Sequence, residues 1–243
     1  MCASFASRAS HRSWIAARWW PGWRRFLSFL AGLAILSAGI LLVVRNPWGA
    51  AAWDVFHLGL AHQLGLSLGT VSILVSLTVV GATWALGGGW TIRIGTLLNA
   101  ILVGVFIDLY TYLGLIPPPS GLLWGLGYLA GGVVVLALGT VLYLRTGLGA
   151  GARDGLMLVL SQRTGFSSGQ VRVAIEVTVA VLGWVLGGPL GAGTVVAALA
   201  TGPFTDLFFR LLGRGALDER RPARSSTPPD PTWQEVSMPE RKQ

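Results

Sequence analysis

Six long apolar runs dominate the chain: Phe26–Val44, Val71–Leu86, Ile94–Leu113, Leu122–Leu144, Val171–Leu186 and Thr194–Leu212. Each is roughly 16 to 23 residues, against about 20 needed to cross a hydrocarbon core. The pattern predicts an all-α polytopic membrane protein with six spans. Between spans 1 and 2 lies the mixed segment WDVFHLGLAHQLGLS, and between spans 4 and 5 lies RDGLMLVLSQRTGFS. Each reads as a short helix of about 11 residues, or roughly 16 Å at 1.5 Å per residue, half a bilayer. These are predicted to be interfacial or re-entrant helices. Asp54 and Asp154 suit the N-cap position, Gly65 and Gly165 the left-handed C-terminal position, and Ser67 and Ser167 the caps of the next spans. Ser167 with Gln170 fits a capping box.

The same text occurs twice. RNPWGAAAWD at Arg45 returns as RTGLGAGARD at Arg145, GLSLGTV at Gly65 as GFSSGQV at Gly165, and WALGG at Trp84 as WVLGG at Trp184. Gly104, Phe106 and Asp108 return as Gly202, Phe204 and Asp206. The shift is about 100 positions early in the match and about 98 late, and a repeat of this length sets the architecture. It divides a membrane domain of residues 26–213 into repeat 1 (26–113) and repeat 2 (121–213). Three spans per repeat is an odd number, so the second copy is expected to enter the membrane from the opposite side. A retained first span follows too, because its Gly32, Leu36, Gly39 and Leu42 have counterparts at Gly132, Leu136, Gly139 and Leu142.

Charge adds orientation. Only 12% of residues are charged and 53% are apolar, about half the charge of a soluble domain. The basic residues cluster in the leading tail (Arg8, Arg12, Arg18, Arg24, Arg25), after span 4 (Arg145, Arg153, Arg163, with Arg172 entering span 5) and from Arg210 onward. The loop after span 2 has Arg93, and the loop after span 1 has only Arg45, the one exception to the bias. The loops after spans 3 and 5 have none. The positive-inside bias puts both termini in the cytoplasm. This placement of the arginines also accounts for the high pI without a nucleic-acid partner. Residues 1–25, with Trp14, Trp19, Trp20 and Trp23 among arginines, suit an interfacial anchor. Residues 214–243 are rich in proline, serine and charge, and read as a disordered cytoplasmic tail. The single cysteine, Cys2, rules out a disulfide framework within the chain and a thiolate metal site. No nucleotide loop, catalytic acid pair or nucleophile–base set is recognisable. No enzyme activity, metal or cofactor is therefore expected.

The polar residues inside the spans are the candidate functional positions. Asp108 and Asp206 occupy matched places late in spans 3 and 6, at the depths of Arg45 and Arg145. Two structural ion pairs are predicted, Arg45–Asp108 and Arg145–Asp206, which either pin spans together or gate the two faces. Glu176 lies one turn beyond Arg172 on the same helix face. It either neutralises that arginine or faces a cavity as a coupling group. Asn99, Thr96 and Thr194 either bond between helices or line a path. Gly127 and Gly131 have the spacing of a close helix contact.

NPW followed by a short helix, GLSLGT, GTLLNAILVGVFIDL and GLGAGARDGLMLVLSQRTG together resemble the YczE/YitT-like family of bacterial integral membrane proteins, over roughly Ala31 to Leu212. The resemblance implies a multi-span protein of the bacterial inner membrane and supplies no mechanism. Short glycine-interrupted segments at matched places in inverted halves point to a transport site. A small-solute transporter or exporter, with its site at the repeat interface, is the first expectation. A non-transporting membrane scaffold for a partner enzyme or assembly is the second. Both need the lipid bilayer as partner, the first also a small-molecule substrate, and both leave room for a homo-oligomer.

Overall fold

The computed structural model describes residues 22–213. Most of the leading segment and all of the C-terminal tail lie outside the described residues. Eight helices follow in order: α1 (Trp23–Arg45), α2 (Ala52–Leu64), α3 (Leu68–Thr83), α4 (Ile94–Tyr112), α5 (Leu122–Arg145), α6 (Ala152–Thr164), α7 (Ser168–Val185) and α8 (Ala192–Leu212). After α3 the chain continues through a wide π-type turn at Trp84–Gly88 and a 3-10 turn at Gly89–Thr91. There is no strand among the described residues. Six helices are long and apolar enough to cross a membrane: α1, α3 with its extension to Thr91, α4, α5, α7 and α8. Their outer faces carry exposed Leu74, Leu77, Ile101, Val105, Val177 and Val181, the surface expected against lipid.

The two short helices are 13 residues each, about 20 Å of rise and too short to span. Their closures follow the sequence. Gly65 and Gly165 take left-handed φ values of +66° and +74°, and their N–H groups donate to Ala61 and Ser161 carbonyls. Ser67 Oγ accepts from Thr70 N–H at 3.1 Å. Ser167 and Gln170 form the expected capping box, with Ser167 N–H donating to Gln170 Oε1 at 3.0 Å. The expected N-caps need correction. Ala51 and Gly151 occupy those positions in extended conformation, and Asp54 and Asp154 sit in the first turn, at its third residue. The carboxylates still meet the positive end of the helix dipole, and Asp154 lies close to the backbone of Gly151.

The centre of the molecule is the seam between α1 and α5. Gly32 lies against Tyr143, Gly39 against Leu136, Gly139 against Leu36 and Gly132 against Val43. Positions that rise along α1 fall along α5, so the helices run antiparallel. Given the offset of about 100, each contact has a counterpart in which the repeats exchange places. The short helices also cross over, α2 packing on α7 and α6 on α3. The first spans anchor a core of Phe29, Leu33, Leu36, Ile40, Val103, Ile107 and Tyr143. Burial then falls outward, from half of the α1 span to 6% of α8, which makes α8 the most peripheral helix. Gly127 and Gly131 are not in the seam; open space lies beyond both, because α5 turns its other glycine face to α1.

The loops after α1 and α5 are locked by matched polar side chains. Buried Asn46 donates to the Val43 and Gly49 carbonyls and accepts from Trp48 N–H at 2.7 Å. Thr146 donates to the Tyr143 carbonyl at 2.6 Å. These bends turn the chain so that the N-terminal turns of α2 and α6 point back into the protein.

Candidate functional site: a polar cavity between the repeats

A cavity of about 430 Å³ lies where those two N-terminal turns meet, within the range typical of small-molecule sites. Residues from both repeats wall it, including Ser72, Asn99, Tyr143 and Thr201. Its charged groups are Asp54, Arg153, Asp154, Arg172, Glu176 and Asp206. The cavity has a buried end and an accessible end. Asp54 and Ser72 are each 3% exposed, whereas the Arg172 and Glu176 side chains are 53% and 27% exposed.

Each charge is held by its surroundings. Arg172 Nε donates to Glu176 Oε1 at 3.0 Å, one helical turn apart. The Arg153 guanidinium sits 4.6 Å from the centre of the Trp53 ring, a cation–π contact from α6 to α2. Burial lowers the pKa of Arg153, and Asp54, Asp154, Tyr143 and Glu176 oppose that shift. Burial raises the Asp154 carboxyl above the usual carboxylate range, opposed by Arg172, Arg153 and the Gly151 N–H. His57, 1% exposed, lies on α2 with Nδ1 3.7 Å from Asp54 Oδ1. Burial pushes its pKa down, and nearby Arg153 adds to this against the pull of Asp54. Among the described residues no group of three His, Cys, Asp or Glu side chains is arranged to hold a metal ion.

Glu176 and Asn99 both line the cavity, and Asn99 Nδ2 is buried there without a hydrogen-bond partner. Thr96 and Thr194 do not line it. Thr96 Oγ1 accepts from Arg93 N–H at 3.3 Å and Thr194 Oγ1 from Gly191 N–H at 3.2 Å. They cap α4 and α8, a use for threonine at a helix start that competes with any path-lining role. The two expected ion pairs are corrected. Asp108 Oδ2 accepts from Ser67 Oγ at 2.6 Å and Oδ1 from Gly69 N–H at 2.9 Å, so it caps α3 from the neighbouring helix. Arg45 donates to the Ile116 carbonyl instead. Asp206 lines the cavity, and Arg145 Nε is buried without a partner. A free helix N-terminus offered Asp108 directed N–H donors nearer than the guanidinium. Arg153 is the residue that charge counting misses: placed in a loop it sets topology, but it is the second residue of a helix whose first turn faces the interior.

The sequence matches a family of unknown function (DUF6198) over residues 23–210. The chain belongs to this family. A similar family relative is the uncharacterised membrane protein YczE of Bacillus subtilis (strain 168), 37% identical over 179 residues, 73% of this chain and 82% of the relative. An uncharacterised protein of Haemophilus influenzae is 34% identical over 203 residues, covering 83% and 91% of the two chains. Uncharacterised protein YyaS of Bacillus subtilis (strain 168) is 29% identical over 207 residues, covering 81% and 98%. The expected resemblance to the YczE group is thus borne out. No solved structure matches the chain.

Proposed function

We propose that this protein is a small-solute transporter of the bacterial inner membrane, built from two inverted three-span repeats with both termini in the cytoplasm. The observation that carries the reading is the polar cavity enclosed by the N-terminal turns of α2 and α6 and by spans of both repeats. Irregular chain and half-length helices at membrane depth are tolerated where they border water or protein, and paired short helices in inverted halves are where transporter sites lie. The antiparallel seam of α1 and α5, with its exchanged glycine contacts, supports inversion. The arginine-rich leading tail and the loop after α5 support cytoplasmic termini, so the accessible end bearing Arg172 faces the cytoplasm.

The cavity wall holds four carboxylates, Asp54, Asp154, Glu176 and Asp206, against two guanidinium groups, Arg153 and Arg172. This excess suits a solute bringing a positive charge. Glu176 is the coupling candidate: it lines the cavity half-buried and bound to Arg172, whereas Asp206, the other carboxylate toward the accessible end, is exposed. A scaffold would call for a closely packed interior throughout; the glycine seam is of that kind, whereas the cavity beside it is lined by six charged side chains. The test is counterflow in proteoliposomes with a fixed panel of radiolabelled amines, amino acids and organic acids. Accumulation of an amine or amino acid, reduced at least tenfold by Glu176→Gln, is expected. A correctly folded protein that accumulates no member of the panel would overturn the reading.

A further inference from the structure

The two repeats differ at one matched set of residues. In repeat 1, Asp108 binds Ser67 Oγ and Gly69 N–H, and it also lies 3.5 Å from Thr70 Oγ1. The helices are drawn together there: a Cβ on either Gly69 or Gly104 would collide with the backbone of the other. In repeat 2 the counterparts are Asp206, Ser167, Gly169 and Gly202. All four chemical groups are present, yet they are apart. Asp206 stands in the cavity wall. Gly169 and Gly202 each have nothing within 4 Å of an added Cβ. Ser167 is occupied by Gln170, whose carbonyl oxygen accepts from both the Ser167 N–H and, at 3.0 Å, its hydroxyl. Accordingly α3 and α4 pack along each other, while α7 and α8 make no comparable contact.

We propose that Asp108 and Asp206 are the two latches of an alternating-access device, one closed and one open in this conformation. This rests on the transporter reading. In the opposite conformation Asp206 caps α7 through Ser167 and the Gly169 N–H, Gly169 meets Gly202, and the cavity closes where Arg172 now admits water. Asp108 releases Ser67 and Gly69, and the mirror-image cavity opens between α3 and α4. The glycines are the condition for closure, because only they let the helix backbones approach closely enough for the carboxylate to reach the N–H. Gln170 keeps the α7 start capped while its latch is open. In repeat 1 that position is Thr70, whose shorter side chain leaves the role to Asp108.

The test is a pair of spin-label distances in lipid nanodiscs, in a Cys2→Ser background, at Leu66/Tyr112 beside the closed latch and Phe166/Arg210 beside the open one. Asp108→Ala is expected to lengthen the first distance and shorten the second, moving the ratio of the two conformations by about tenfold or more, the worth of one charge-assisted hydrogen bond. Asp206→Ala is expected to move the ratio the other way without lowering thermal stability, since that carboxylate closes no latch in this state. The double variant returns the ratio to near that of the parent, which a purely structural role for Asp108 would not do. Should Asp108→Ala fail to fold, Ser67→Ala replaces it, with the same direction of change. Distances unmoved by all folded variants would overturn the latch, even if solute counterflow is found. Reciprocal movement with no counterflow would sink the transporter reading and leave the two-state device standing.

Discussion

Gly39 of α1 lies directly against the backbone of Leu136 in α5, with no side chain between the two helices. A β-carbon there has no room and no flexible neighbour to displace. Overpacking a core costs about 1–3 kcal/mol where side chains can adjust, and here the obstacle is backbone. Gly39→Val is therefore expected to cost at least that much, seen as a loss of the monodisperse folded fraction in detergent and a lower Tm. Gly131→Val, on the open side of α5, is expected to leave both unchanged.

Asn46 uses its whole amide to lock the bend between α1 and α2, giving two hydrogen bonds and accepting a third. Its removal leaves buried backbone groups unpaired, a penalty of about 1–3 kcal/mol. Thr146 closes the matched bend with one donated bond and a long accepted one from Leu148 N–H at 3.4 Å. Asn46→Ala should thus lower the Tm more than Thr146→Ala. Equal effects would show that the amide is dispensable.

The six spans and the two short helices were legible because hydropathy and glycine placement are local properties. The repeat was legible because spelling survives where the backbone must pass close, as at Gly32 and Gly132. What the sequence hid was choice of partner. Asp108 and Arg45 share a depth, and depth suggested a salt bridge. The decision instead went to the unpaired N–H groups at the start of α3, whose positions depend on how α3 and α4 approach. Thr96 and Thr194 were ambiguous for the same reason, since a threonine near a helix start can cap or line. The different surroundings of Asp108 and Asp206 were not read from the sequence either: the two lie in similar segments, which differ at Val105 against Pro203 and at the facing Thr70 against Gln170.

His57 predicts a pH effect. Its pKa is pushed below the ordinary 6.5 by burial, so the folded protein resists protonating it. As pH falls below about 6.5 the unfolded chain takes up the proton first, and stability drops until the folded pKa is passed. The facing charges are Asp54 and Arg153, which pull in opposite directions. The expected outcome is a Tm that declines on acidification below about 6.5, with that part of the decline removed in His57→Met, the residue found at the matched position 157. A profile unchanged by this substitution would contradict the assignment.

The Arg172–Glu176 pair should contribute little to stability. Arg172 is 53% exposed, and pairs of this kind are worth roughly 0.3–0.5 kcal/mol on a helix. Arg172→Gln is expected to change the Tm by no more than about 1–2 °C. It should instead alter access to the cavity, read as the rate at which a water-soluble thiol reagent modifies a cysteine placed at Thr201, in the Cys2→Ser background.

Arg153 is expected to behave oppositely. It carries charge from α6 of repeat 2 to the first turn of α2 in repeat 1, over Trp53 and beside Asp54. Asp54 is 3% exposed, so losing the guanidinium strands a carboxylate away from water. Arg153 acts on Asp54 as a nearby charge rather than as a direct ion-pair partner, so the cost is expected to stay below the about 3–5 kcal/mol of a broken buried pair. Lysine is a poor substitute, because a compact ammonium does not stack on the Trp53 indole as the planar guanidinium does. Arg153→Gln should lower the Tm sharply and Arg153→Lys somewhat less. Adding Asp54→Asn to Arg153→Gln should recover part of the loss, because the stranded charge is gone. A double-mutant cycle with coupling of about 0.5–3 kcal/mol would establish this link across the repeat interface. Strictly additive losses would mean that Arg153 acts through packing alone.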